Sequence, residues 1–234
     1  MALTMIPMTI RLLFLNIFFI IILGGFPLGM SAQENDFQVW TDLSVNKELN
    51  KKLDLTFEQN LRYGNNVTEL SKSYSNLSAG YSVTNFLKLS FMYRFVLRNK
   101  TDYFAKGHSF AFDAALKHKF NHVKFSMRNR LMYKYSEILS SDYGKIPDRY
   151  YRTKLGMVYN IRKFPLSPSV SVESFLLIPK GDPATFDAIR TSFGLDYPIS
   201  KHHEIEAYWL NEWGLNAESG INDFILGLSY SYSF

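Results

Sequence analysis

The chain contains no cysteine among its 234 residues, which excludes a disulfide framework and any metal site built on thiolates. Histidine is scarce, with five residues, and no glycine-rich phosphate-binding loop is present. After residue 32 the chain also lacks an apolar run of the roughly 20 residues that a membrane-spanning helix needs. These absences leave a domain of ordinary length whose strongest signal is its aromatic content, 16% of all residues.

The N-terminal segment has the features of a secretory signal peptide. Its apolar run, Leu12–Leu23, follows a single positive charge and is ended by glycine and proline. Small residues, Ser31 and Ala32, suit a cleavage site. We therefore predict a signal peptide over 1–32 and an exported domain over 33–234. A retained helical anchor is the alternative, which the short run disfavours.

The exported part shows alternation of apolar and polar residues in segments of about ten. In the segment 86–98, Leu89, Phe91 and Tyr93 fall on one face, whereas Lys88 and Arg94 fall on the other, because successive strand side chains point to opposite sides. The other clear segments are 52–63, 123–135, 149–160 and 222–234, and weaker ones are 37–46, 72–83, 108–120, 166–177, 187–199 and 203–213. This repetition predicts an all-β chain of spanning-length strands.

The connections alternate between tight turns and longer polar loops. The tight turns lie at 50–51, 84–85, 121–122, 162–163 and 201–202, and the loops at 64–71, 99–107, 136–148, 178–186 and 214–221. This asymmetry is typical of the periplasmic and extracellular ends of a transmembrane barrel, which must close because open edges would leave backbone groups unpaired in hydrocarbon. We predict a single up-and-down antiparallel transmembrane β-barrel. The segments number eleven, but bacterial barrels have even numbers, so we favour twelve strands, with ten as second choice.

The composition of the two faces favours a membrane barrel over a soluble one. The apolar face is bulky in nearly every segment, whereas a soluble barrel would expose charge instead. Aromatic residues concentrate towards strand ends, as interfacial girdles require. They are Tyr63, Tyr93, Phe95, Tyr133, Tyr135, Tyr151, Tyr159, Tyr197, Trp209, Trp213, Tyr230 and Tyr232. The last segment, with Tyr230, Tyr232 and Phe234 at alternate positions, resembles the signal read by the outer-membrane insertion machinery. We expect a cell outer-membrane location, with outer-membrane lipid and that machinery as partners.

Three stretches carry a resemblance to a known family. They are the opening Gln38-Val39-Trp40-Thr41, the turn at 49–53 (LNKKL) with its acidic strand, and the segment 77–95 (LSAGYSVTNFLKLSFMYRF). The chain resembles the family called domain of unknown function 2490, a group of exported proteins of bacteria with an outer membrane. The resemblance implies an outer-membrane barrel and no particular activity.

If the apolar face meets lipid, the charged side chains point into the lumen and are unevenly distributed. A basic wall is predicted from Lys88, Arg94, Arg98, Lys124, Arg128, Arg130, Arg152 and Lys154. An acidic wall is predicted from Asp42, Asp54, Glu58, Glu173, Glu204, Glu206 and Glu212. The two walls either pair across a narrow lumen and plug it, or set up a field that filters small solutes in a narrow porin-like channel. We expect a structural barrel or narrow channel without enzymatic activity.

Alternative functions have weaker support. A lipid-modifying enzyme would use His108, but adjacent Ser109 points to the opposite strand face. His202-His203-Glu204 does not converge on a metal, so no metal or other cofactor is expected. A net charge of +5 spread along the strands of an exported chain does not indicate nucleic-acid binding. A surface adhesion function would use the loop 136–148.

Overall fold

The computed structural model describes residues 34–100, 102–136, 146–162, 164–215 and 221–234. The predicted signal peptide over 1–32 lies outside these residues. No helix in these ranges is long and apolar enough to cross a membrane.

Eleven strands account for nearly all of the described chain. They are β1 (Glu34–Glu48), β2 (Leu53–Gly64), β3 (Glu69–Ser82), β4 (Leu87–Lys100), β5 (Tyr103–Phe120), β6 (Val123–Ser136), β7 (Asp148–Tyr159), β8 (Ser167–Leu177), β9 (Thr185–Pro198), β10 (His203–Gly214) and β11 (Ile221–Ser233). Each strand pairs antiparallel with its sequence neighbour, and β1 pairs with β11, so the sheet closes into one up-and-down barrel. The all-β barrel predicted from the alternation is confirmed.

The strand number corrects the prediction. Twelve strands, and ten as second choice, are both wrong, because the eleven segments found in the sequence are the eleven strands. An odd number closes when the first and last strands run parallel, and β1 pairs with β11 in that way from Glu34–Ile221 to Asn46–Ser233. The even-number rule assumes that the first and last strands are antiparallel, which is not the case here.

The strand register sets the width of the barrel. Paired residues followed around the sheet from Glu48 return to β1 at Glu34, a displacement of 14 residues (48 − 34). Fourteen residues over eleven strands tilt each strand by about 40° and give a backbone radius of about 11 Å. Such an interior is wide enough for long side chains to meet without filling it completely.

The two ends of the barrel carry different connections. The turn end carries Phe234 and the connections 49–52, 83–86, 121–122 and 199–202, and β7 and β8 are also joined there. At the loop end the chain joins β2 to β3, β4 to β5, β6 to β7, β8 to β9 and β10 to β11, with 65–68 and 178–184 as fully described connections. The asymmetry is less regular than predicted. The loops expected at 64–71 and 99–107 are shorter, because β3 begins at Glu69 and β5 at Tyr103.

Candidate functional site

The lumen contains a cavity of about 850 Å³ lined by side chains from all eleven strands. Near the turn end, in the part that we call the vestibule, charged side chains such as Lys88 and Glu206 line this cavity together with small polar residues. The small polar residues are Ser44, Thr56, Ser78, Ser90, Ser126, Ser229 and Ser231. Towards the loop end, arginine and aromatic side chains replace them, so the lumen narrows along its length.

The narrow part is formed by alternating guanidinium and aromatic groups, which we call the arginine–aromatic belt. Its members in spatial order are Arg152, Phe175, Arg190, Trp40, Arg62, Tyr74 and Arg94. The closest contact places the Arg62 guanidinium carbon 3.7 Å from the centre of the Trp40 ring. The other five distances lie between 4.3 and 5.3 Å. A cation over an aromatic face is attracted by the ring quadrupole, so these contacts hold the four guanidinium groups of the belt in place along the lumen wall.

One contact of the belt reaches past the nearest strands. Arg190 on β9 lies 5.3 Å from the Trp40 ring centre on β1, with β10 and β11 between them in the sheet. Trp40 is itself buried with Leu210 and Ile225 in an inward-facing apolar cluster. The lumen is therefore constricted by packed side chains at this level.

The carboxylate that compensates the belt is Glu173, which is only 4% exposed. Its Oε1 atom lies 2.7 Å from Nη2 of Arg128 and 3.0 Å from Nη2 of Arg152. Its Oε2 atom lies 4.0 Å from Nη1 of Arg190, which also pairs with Glu212. Glu173 thus joins guanidinium groups from three strands, and it lies among the basic residues rather than opposite them.

A second polar network crosses five strands. The Asn76 amide accepts a hydrogen bond of 2.7 Å from Arg94 and donates to Glu58 and Asn60. Asn60 in turn donates to Asp42, which also accepts from the Tyr208 hydroxyl at 2.7 Å. These bonds satisfy polar groups that the packed lumen removes from water.

The predicted basic residues lie on β4, β6 and β7, and the predicted acidic residues on β1, β2, β8 and β10. Closure leaves only β11 between β10 and β1, so the acidic strands β10, β1 and β2 lie close together. Several charges are neutralised within their own side of the barrel rather than across it. Lys88 pairs with Asp54 at 2.7 Å, and Arg130 pairs with Asp113 at 2.6 Å.

The sequence prediction missed the aromatic members of the belt. Trp40, Tyr74 and Phe175 stand in phase with polar residues and out of phase with the apolar face of their own strands. Large aromatic residues on the polar phase of an alternating strand are therefore the signal that would have found them. Arg62 and Arg190 were also absent from the predicted walls.

His108 and Ser109 lie on opposite faces of β5. The His108 ring is outside the barrel, where its Nδ1 atom is 2.6 Å from the Tyr93 hydroxyl, whereas Ser109 is buried on the lumen side. No group of three potential metal ligands occurs in the parts of the chain that the structure describes. Most of the loop proposed for adhesion, 137–145, lies outside the described residues.

Gly227 makes room for the Tyr208 ring against the β11 backbone. A Cβ atom at this position would overlap the Tyr208 ring. We expect Gly227→Ala to cost about 1–3 kcal/mol of unfolding free energy, because Tyr208 must move and its bond to Asp42 is lost. Urea unfolding of the refolded protein measures this. Gly156→Ala is the control, since its Cβ would meet only the rotatable Ser126 hydroxyl below 3.8 Å, and equal losses for both variants would contradict the expectation.

The fold and the lumen together define a small closed β-barrel with a charged, aromatic-lined interior. The model of the family described as protein of unknown function (DUF2490) matches residues 37–222, and the chain belongs to this family. The resemblance found in the sequence is thereby confirmed. A comparison with curated proteins finds no match.

Proposed function

We propose that the protein is an integral outer-membrane barrel without enzymatic activity, with its turn end in the periplasm and a lumen restricted by the arginine–aromatic belt. The observation that carries this proposal is the outward face. Large apolar side chains cover it in every strand and are exposed, as with Phe112 (61%), Leu77 (54%) and Leu228 (53%). A face of this kind is suited to contact with hydrocarbon. In transmembrane barrels the lipid-facing apolar band is about 25 Å tall.

The aromatic residues at the turn end support the same proposal. Tyr232 stacks on Phe234 with ring centres 5.4 Å apart, and the Tyr230 hydroxyl lies 2.6 Å from Nδ1 of His203. Lys47 lies over the Phe234 ring at 4.1 Å. Rings with polar groups at their edge suit the interface between lipid and water. We propose that the insertion machinery contacts this edge of β11.

The polar residues on the outward face bond to one another. Gln59 donates to Ser73 and accepts from Ser75 across the β2–β3 pair. Asn129 accepts hydrogen bonds from the Tyr151 and Thr153 hydroxyl groups at 2.9 and 3.0 Å. Hydrocarbon offers no hydrogen-bond partner for such groups, so polar side chains that face lipid need to bond to one another.

The lumen supports a narrow or closed pathway rather than an open pore. On the loop-end side of the vestibule, the belt, Glu173 and two buried apolar clusters occupy the interior. We propose that the barrel conducts small ions weakly and excludes larger solutes.

Planar-bilayer recording tests this proposal. We expect wild-type protein to show little conductance and Trp40→Ala to raise the conductance several-fold. The substitution removes the largest ring of the belt, and the Arg62 and Arg190 guanidinium groups lose their contact with it. Trp209→Ala is the matched control, since that tryptophan faces outward. Wide-pore conductance of the wild-type barrel would show that the belt does not restrict it, and failure to insert into any bilayer would contradict the membrane assignment.

A further inference from the structure

Five cations crowd one corner of the lumen near the loop end, and we call them the basic corner: Arg62, Lys72, Arg94, Arg98 and Lys134. Arg62, Lys72 and Arg98 are directly opposite one another on β2, β3 and β4 in the strand register. Like charges in directly opposed positions destabilise a sheet. The basic corner therefore carries a repulsion between these three cations.

Few carboxylates make a direct ion pair with the cations of the basic corner. Among the residues that the structure describes, only Lys134 has an acidic partner within 4.0 Å, namely Asp148 at 3.7 Å. Arg94 bonds to a neutral amide, and the nearest bond of Arg62 is a long one of 3.4 Å to the Tyr74 hydroxyl. The excess of positive charge contrasts with Arg128, Arg130 and Arg152, each of which reaches a carboxylate.

A small pocket lies within the corner, and buried polar groups without partners line it. Its volume is about 70 Å³, and Arg94, Arg98, Lys134, Tyr74 and Ser109 form part of its wall. Ser109 is 1% exposed, and its hydroxyl has no hydrogen-bond partner among the described residues. The Nε atom of Arg98 is likewise buried and unpartnered within the described part of the chain. Buried polar groups are normally satisfied, so these donors indicate a missing acceptor.

We propose that this pocket binds a phosphate group or a similar doubly charged oxyanion. Guanidinium groups recognise such oxyanions through paired, charge-assisted hydrogen bonds, and a hydroxyl donor adds a further contact. A water needs about 10–15 Å³ of such space, so the pocket has room for a small tetrahedral anion. The proposal deepens the proposed function by naming the chemistry of a solute for the lumen. The pocket itself can be tested without conductance or insertion.

The test is isothermal titration calorimetry of the full chain, refolded in a zwitterionic detergent, with inorganic phosphate at low ionic strength. We expect saturable binding that Arg98→Gln weakens at least tenfold and Ser109→Ala weakens about fivefold. Lys119→Gln, which removes an exposed cation at the turn end, is the charge-matched control and should bind as wild type does. Absence of saturable binding, or equal weakening by all three variants, would overturn the proposal.

A stability measurement separates a binding role from a structural one. Without phosphate, Arg98→Gln should melt at a higher temperature than wild type, because it relieves the repulsion from Lys72. With phosphate the wild type should gain stability and the variant should not. A lower melting temperature of Arg98→Gln in both conditions would assign the residue to the fold alone and overturn the site.

The source of the phosphate group is resolved by a second titrant. Mixed micelles containing a short-chain phosphatidic acid present the same group on a lipid, and uncharged micelles of the same size are the blank. Competition by the lipid against free phosphate would assign the pocket to a headgroup, and binding of free phosphate alone would assign it to a solute. Failure of both titrants to bind would overturn the proposal.

Discussion

Glu173→Gln is expected to destabilise the barrel by about 3–5 kcal/mol, the cost of leaving buried charges without their partner. The buried Glu173 carboxylate lies within 4.0 Å of guanidinium groups of Arg128, Arg152 and Arg190. A glutamine keeps the shape but removes the charge, and its amide would present donors to groups that are themselves donors. Arg190 retains Glu212, whereas Arg128 and Arg152 have no other carboxylate within 4.0 Å among the described residues.

The measurement is urea unfolding of the refolded barrel in lipid vesicles, followed by tryptophan fluorescence. Glu204→Gln is the matched control, because Glu204 is an exposed inward-phase glutamate near the turn end and should change the unfolding free energy by less than about 0.5 kcal/mol. Similar midpoints for Glu173→Gln and wild type would show that the three guanidinium groups do not depend on the Glu173 charge. Glu173 would then contribute little to the stability of the barrel.

The strand pattern was readable from the sequence because burial on one face imposes a period of two. The clear segments match the strands to within two residues, and even the weak segment 37–46 lies inside β1. Connection lengths were less readable. Ala105 and Gly107 extend β5 into the expected loop 99–107, since small residues can pair in a strand without showing apolar alternation.

Long-range closure could not be read from local patterns. The parallel β1–β11 pair depends on a register between the first and last strands, and no local signal encodes it. The same holds for Glu173, whose role follows from its three arginine neighbours rather than from its own strand. A charge assigned to a wall by sequence order alone can therefore belong to the opposite side, because closure decides which groups meet.

Leu228→Arg is expected to cost about 2–4 kcal/mol in a bilayer, the penalty for an arginine on the lipid face near the midplane of a barrel. Leu228 lies outward on β11, opposite Thr41 and Ala207 and far from either end of its strand. Ser229→Arg is the matched control on the next residue, because its side chain faces the lumen and lies opposite Asp42 and Glu206. That new arginine gains carboxylate neighbours and should be tolerated.

The folded fraction in short-chain phosphatidylcholine vesicles, read by heat-modifiable gel migration, measures both variants. A soluble barrel would reverse the order, since an arginine at 228 would meet water while one at 229 would be buried, so better folding of Leu228→Arg than of Ser229→Arg would refute the membrane proposal at its base.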